Sequence, residues 1–89
     1  VPDIHGAARV TVRYFAAARA AAGTESETLD VDRGATVADL VDMLKARDAA
    51  LAQVLARCSY LRDGVAVRDM GSELCDAQTI DVLPPFAGG

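Results

Sequence analysis

One strongly amphipathic helical stripe, set among short alternating segments, constrains the fold of this 89-residue chain more than any other feature. Val37, Leu40, Val41 and Leu44 fall at i, i+3, i+4 and i+7, which places four branched side chains on one side of a helix. Thr36 stands where an N-cap belongs and Asp39 suits the positive start of the helix. Asp39, Asp42 and Lys45 mark the polar side. Such a stripe needs an apolar surface to cover, and the flanking segments supply it. Val10, Val12 and Tyr14 alternate with Thr11 and Arg13, Leu29 and Val31 lie among Thr28, Asp30 and Asp32, and Ile80 and Val82 alternate with Thr79 and Asp81. Each reads as a strand with one apolar face.

The remaining segments fit between these. Ala16 to Ala22 carry the best helix former almost without interruption, and Gly23 follows where a left-handed cap belongs. Leu51, Val54 and Leu55 continue a helical spacing after a break near residues 47–49. Asp63-Gly64 separates two extended runs and has the composition of a type I′ hairpin turn, whose two central residues need positive φ. Pro84 and Pro85 stop the last strand, because proline donates nothing to a sheet ladder. The expectation is an α+β domain, a single sheet packed against one main helix. Residues 1–8 show no period and are expected to form a loose arm, residues 9–83 the domain, and residues 84–89 an extended tail.

The length admits one domain. Eighteen alanines dilute the 52% apolar content, so the core must be small. Thirteen acidic against nine basic side chains give a net charge of −4, the wrong sign for neutralising phosphates, and nucleic acid is not an expected partner. Cys58 and Cys75 form neither a disulfide framework nor a zinc spacing; they read as reduced thiols in ordinary buried or half-buried packing, which fits a cytoplasmic location. Nothing resembles a signal segment or a membrane span. His5, with Asp3 nearby, is a lone imidazole and no metal site is expected. Asp39 and Asp42 share a helix face and read as solvated carboxylates rather than an acid and base pair.

The informative feature is Leu83-Pro84-Pro85-Phe86-Ala87-Gly88-Gly89. The diproline holds the exit from the last strand extended, and the six residues beyond Leu83 reach at most about 20 Å. Glycines without Cβ let the backbone pass a narrow channel and leave a terminal carbonyl open to attack. Phe86 lies outside any periodic element; docking on a partner and packing back on its own sheet are both open to it.

These residues resemble the ubiquitin-like sulfur carriers of the MoaD/ThiS family, within it the molybdopterin synthase branch, over about 80 residues. The resemblance rests on Tyr14-Phe15-Ala16 with Arg19 and Gly23, on Thr36-Val37 with Leu40, on the Asp63-Gly64 hairpin, and above all on Pro84-Pro85-Phe86-Ala87-Gly88-Gly89. The chain departs from the family pattern in two turns: Asp63-Gly64 stands where Asn-Gly is common, and Asp76-Ala77-Gln78 where Asp-Gly-Asp is common.

The resemblance implies a β-grasp fold with the first and last strands adjacent and parallel at the centre of the sheet. It implies that an ATP-dependent, E1-like activating enzyme adenylates Gly89, that sulfur replaces AMP to give a C-terminal thiocarboxylate, and that the tail enters the large subunit of molybdopterin synthase. There Gly89 donates sulfur to a cyclic pyranopterin monophosphate precursor of the molybdenum cofactor. Pro84, Pro85, Phe86, Ala87 and Gly88 would form the inserted tail. No bound cofactor is implied, and no side chain of this chain needs to be catalytic. Carriers for thiamine or cysteine synthesis and ubiquitin-like protein modifiers share the Gly-Gly ending, and a non-covalent interaction domain remains a third class.

Overall fold

The computed structural model describes residues 7–85. In chain order it contains β1 (Ala7–Tyr14), α1 (Ala16–Ala22), β2 (Ser26–Asp32), α2 (Val37–Arg47), α3 (Ala49–Leu55), β3 (Ser59–Arg62), β4 (Val65–Ala66) and β5 (Thr79–Leu83). The five strands form one mixed sheet in the order β2-β1-β5-β3-β4. β1 and β5 pair in parallel at its centre, with Val12 opposite Ile80 and Tyr14 opposite Val82, and every other pairing is antiparallel. This is the β-grasp arrangement.

The strand alternation places Ala8, Val10, Val12 and Tyr14 of β1 and Ile80 and Val82 of β5 in one buried cluster with Val37, Leu40, Val41 and Leu44 of α2. The helical layer is broader than one main helix, since Leu51 and Leu55 of α3 and Ala18 of α1 join the same core. β1 also starts at Ala7, earlier than the residue 9 boundary: Ala8 is buried and Ala7 pairs with Asp32, a continuation that two alanines do not announce because alanine has little strand preference. Residues 1–6 of the expected arm, His5 included, lie outside the described residues.

The helix ends are closed as their sequences dictate. Thr36 Oγ1 accepts from the Asp39 N–H at 3.1 Å while the Asp39 carboxylate accepts from the Thr36 N–H at 2.9 Å, a reciprocal capping box. The next two free N–H groups of α2, those of Val37 and Ala38, donate to the carbonyls of Ser72 and Met70. Asp39 thus has a structural task, and Asp42 is exposed to solvent. Gly23 caps α1 at φ 78°. Asp48 ends α2 and caps α3 through its side chain, which accepts from Ala50 N–H. At the hairpin Asp63 and Gly64 take φ of 49° and 85°, as a type I′ turn requires. The Asp63 carboxylate also accepts from Thr79 N–H at 2.9 Å and ties the turn to the start of β5.

Candidate functional site

β5 carries the chain from the centre of the sheet to the tail, and its surroundings fix the direction of exit. On the β1 side the last contact is the Phe15 N–H donating to Val82 O at 3.2 Å, immediately past β1, and on the other side Leu83 pairs with Ser59 of β3. Pro84 and Pro85 have no N–H to continue the ladder, so pairing ends there. Pro84 is half-buried and Pro85 exposed. Phe86, Ala87, Gly88 and Gly89 lie outside the described residues, so of the expected tail the structure places Pro84 and Pro85.

The root of the tail is held by a buried charge. Asp81, three residues before Pro84, is 6% exposed, yet it lies on the sheet face opposite the helices. Arg13, its register partner on β1, donates from Nε to Oδ1 at 2.6 Å and from Nη2 to Oδ2 at 2.9 Å. The hydrogen bond and the adjacent negative charge raise the Arg13 pKa further above its ordinary value, in that order of importance. The Arg13 guanidinium also lies 5.5 Å from the centre of the Phe15 ring, which is 38% exposed. The pair is asymmetric: the Arg13 side chain is 52% exposed and the Asp81 side chain 9%. Losing Arg13 therefore leaves a buried carboxylate unpaired, whereas losing Asp81 leaves a cation that water can solvate. The ion pair clamps β1 to β5 just before the chain leaves the sheet.

On the helical side, Pro84 and Pro85 form one wall of a surface groove of about 670 Å³, whose other lining comes from Ala17 of α1 and from Gln53, Val54, Ala56 and Arg57 in and after α3. Neither this groove nor the Arg13–Asp81 pair was legible in the sequence. Asp81 reads as an ordinary outward residue of an alternating strand, and only the β1–β5 register shows that an arginine covers it. The groove collects residues from three separate segments.

The other candidate residues do not assemble a centre. Cys58 is half-buried, its Sγ donates to Val54 O at 3.2 Å, and burial pushes its thiol pKa up, which disfavours the reactive thiolate. Cys75 is exposed, contrary to the packing expected of it, because it sits in the loop before β5, where its own N–H is taken by the Gln78 side chain. Among the described residues no three His, Cys, Asp or Glu side chains are grouped to hold a metal, and no helix is long and apolar enough to cross a membrane.

Comparison with known proteins places this geometry in a family. The model of the ThiS family matches residues 12–89. The chain is 32% identical over 82 residues, 91% of its length and 99% of the relative's, to a molybdopterin synthase sulfur carrier subunit of Chlamydomonas reinhardtii. Its fold matches the solution structure of the small archaeal modifier protein 1 from Methanosarcina acetivorans with a TM-score of 0.78 at 28% identity, covering 93% of this chain and 98% of that one. It also matches a chain in the complex of subunits 1 and 2 of the molybdopterin-converting factor from Helicobacter pylori, with a TM-score of 0.65 at 22% identity, covering 91% and 99%. With a family match over most of its length and a parallel β1–β5 centre that delivers a diproline tail, the chain belongs to the ThiS family, the MoaD/ThiS group of ubiquitin-like β-grasp proteins.

Proposed function

We propose that this chain is the sulfur-carrier small subunit of a molybdopterin synthase, with Gly89 as its reacting terminus. The observation that carries the reading is the 32% identity to a sulfur carrier subunit that it spans almost end to end. The root of the tail supports it physically: the described fold holds Pro84 and Pro85 at the end of a central strand clamped by Arg13 and Asp81.

The chemistry follows from the weakness of a carboxylate as an electrophile. The Gly89 carboxylate attacks the α-phosphorus of ATP on an activating enzyme, forming the acyl adenylate and releasing pyrophosphate. A hydrosulfide sulfur then attacks the Gly89 carbonyl, the C–S bond forms, the C–O bond to phosphate breaks, and AMP leaves. The thiocarboxylate so formed is the sulfur donor to the pyranopterin precursor held by the large subunit, and two such transfers complete one dithiolene. ATP is a substrate of the activating enzyme, and this chain holds no cofactor in the scheme. Positioning is its contribution, while substrate binding and proton transfer belong to the larger partner. A net charge of −4 would steer the carrier toward a basic channel. The cytoplasm, where ATP and reduced thiols are available, is the compartment in which this chemistry runs.

A ubiquitin-like modifier is the second reading, favoured by the fold match to the archaeal modifier protein. It shares the adenylation step and differs in the acceptor, an amine in place of a pterin. Intact mass separates the outcomes. Incubation with ATP, a sulfide source and a cognate activating enzyme should add about 16 Da, sulfur for oxygen, at Gly89 and not in a chain lacking Gly89. Transfer of that sulfur to the pterin precursor by the large subunit identifies the synthase role. Adducts on protein lysines with no sulfur transfer would instead favour the modifier. An unchanged mass with an activating enzyme proven on another carrier rejects both.

A further inference from the structure

We propose that the groove between α1 and α3 at the root of the tail is a docking surface for the rim of the protein that takes the tail in, and that it receives an apolar side chain flanked by a carboxylate that pairs with Arg57. This rests on the reading of Gly89 as the reacting terminus. The first argument is reach. Four residues follow Pro85, and fully extended they span at most about 14 Å. A terminus that must enter a water-excluding channel on so short a tether brings the channel mouth against the body of the carrier at Pro85. On the helical side the surface beside Pro85 is this groove, lined by Ala17, Val54 and Arg57 among others. Contact there is a geometric consequence of a short tail.

The second argument is chemical. Arg9, Arg13, Arg19 and Arg47 are each paired with a carboxylate of this chain, and Arg62 donates to Ser72 Oγ and Glu73 O. The Arg57 side chain, like those of Arg68 and Lys45, makes no ion pair or hydrogen bond among the described residues, and of these three cations it is the one that lines the groove beside Pro85. It lines the groove together with Ala17, Val54, Ala56 and the two proline rings, small apolar groups that leave room for a side chain. An apolar group beside a carboxylate is the complement of that surface. A symmetric second copy is a poorer occupant, since it would bring two Arg57 cations together. The chain's own last four residues are poorer too, because ordering them, two glycines among them, costs more than one ring and one exposed ion pair return.

The test uses the full chain and the cognate large subunit of molybdopterin synthase. Calorimetric titration compares the wild type with Arg57→Glu, Arg57→Lys and Ala17→Arg, each variant first shown by its circular dichroism melt to be folded. The expected result is a roughly tenfold or greater loss of affinity for Arg57→Glu and for Ala17→Arg, which fills the groove, with Arg57→Lys close to wild type and the charge effect shrinking as salt rises. Affinities of both disruptive variants within about twofold of wild type overturn the proposal while leaving the functional reading intact. So does a concentration-dependent dimer abolished by Arg57→Glu, or a Val54 methyl resonance that shifts in the isolated chain on Phe86→Ala, which would assign the groove to a second copy or to the chain's own tail. If the wild type fails to bind and its mass is unchanged by the activating system, the functional reading falls and the proposal with it.

Discussion

Ala77 takes φ of 68°, in the left-handed region where a Cβ crowds the following carbonyl at a cost of about 1–2 kcal/mol. The position is held there by its surroundings. The Ala77 N–H donates to Arg9 O at 2.7 Å, the Asp76 carboxylate accepts from Arg9 N–H at 2.8 Å, and the Gln78 side chain accepts from Cys75 N–H at 2.9 Å. The two bonds to Arg9 stitch the loop before β5 to β1 and the third closes the loop on itself, so the backbone cannot relax without releasing contacts that lead into the β1–β5 pairing. This is also one of the two turns at which the sequence departs from its family pattern, with alanine where glycine is common. Ala77→Gly should therefore stabilise the domain by about 0.5–1 kcal/mol, the relieved strain exceeding the extra unfolded-state entropy of glycine. Thermal melting would show a rise of roughly 2–8 °C, and a fall would mean that the strain is absent. The other departure, Asp63 in the hairpin, carries no such penalty, because its carboxylate accepts the Thr79 N–H and a left-handed Asp is well tolerated.

Elements whose signals are local were legible, and those built from distant partners were not. The stripe of α2 and its Thr36 cap lie within one turn of each other, and all four stripe residues are buried. The Gly23 cap, the Asp63-Gly64 turn and the alternation of β1 and β5 are equally local. Residues 67–78 carry no period, yet Leu74 is buried and the Met70 and Ser72 carbonyls close the N-terminus of α2; a loop whose partner is a helix end far along the chain gives no repeating pattern to read. The two buried tyrosines tie the layers together in a similarly non-local way. Tyr60 OH donates to Leu55 O of α3 at 2.9 Å, and Tyr14 OH donates to the Glu27 carboxylate at 2.7 Å, which in turn pairs with Arg47 of α2 at 3.1 Å. Burial, ahead of any neighbouring charge, pushes the Tyr60 pKa up to about 12, and burial followed by the bond to Glu27 pushes Tyr14 up as well. The folded state thus holds both phenols neutral beyond the unfolded value of about 10. Their contribution is complete below pH ~10 and is lost as pH rises through the folded values, with a slope of up to about 1.4 kcal/mol per pH unit for each tyrosine. Urea unfolding between about pH 9 and 12 should show this decline, and Tyr60→Phe should make it shallower at the expense of about 1 kcal/mol at neutral pH from the lost hydrogen bond to Leu55 O, which keeps the Cys58 N–H. A decline of the same steepness in the variant would contradict the assignment.

At the scale of the whole molecule, stability and function occupy different stretches of chain. The described core runs from Ala8 to Val82, and the chemistry proposed for the chain is carried by residues beyond Pro85. That separation explains why the proposed reaction could be read from sequence while the Arg57 groove could not. A Gly-Gly ending behind a diproline acts through covalent backbone chemistry, which is contiguous in sequence, whereas the groove exists only after α1, α3 and the exit of β5 have come together. It also makes a prediction that a tail with a structural role would not meet. A chain ending at Pro85 loses no described core residue and no described hydrogen bond, so its unfolding free energy should stay within about 0.5 kcal/mol of the full chain. The same truncation should abolish sulfur uptake, since Gly89 and the four-residue reach that presents its carboxylate are gone and a terminal Pro85 carboxylate is left hindered against the body of the domain. Parallel denaturation and intact-mass experiments on the two chains test both halves. A truncated chain that is markedly less stable would place part of the tail on the body of the domain and would decide for Phe86 packing on its own sheet over docking on a partner. One that is equally stable and still gains sulfur would remove Gly89 from the chemistry.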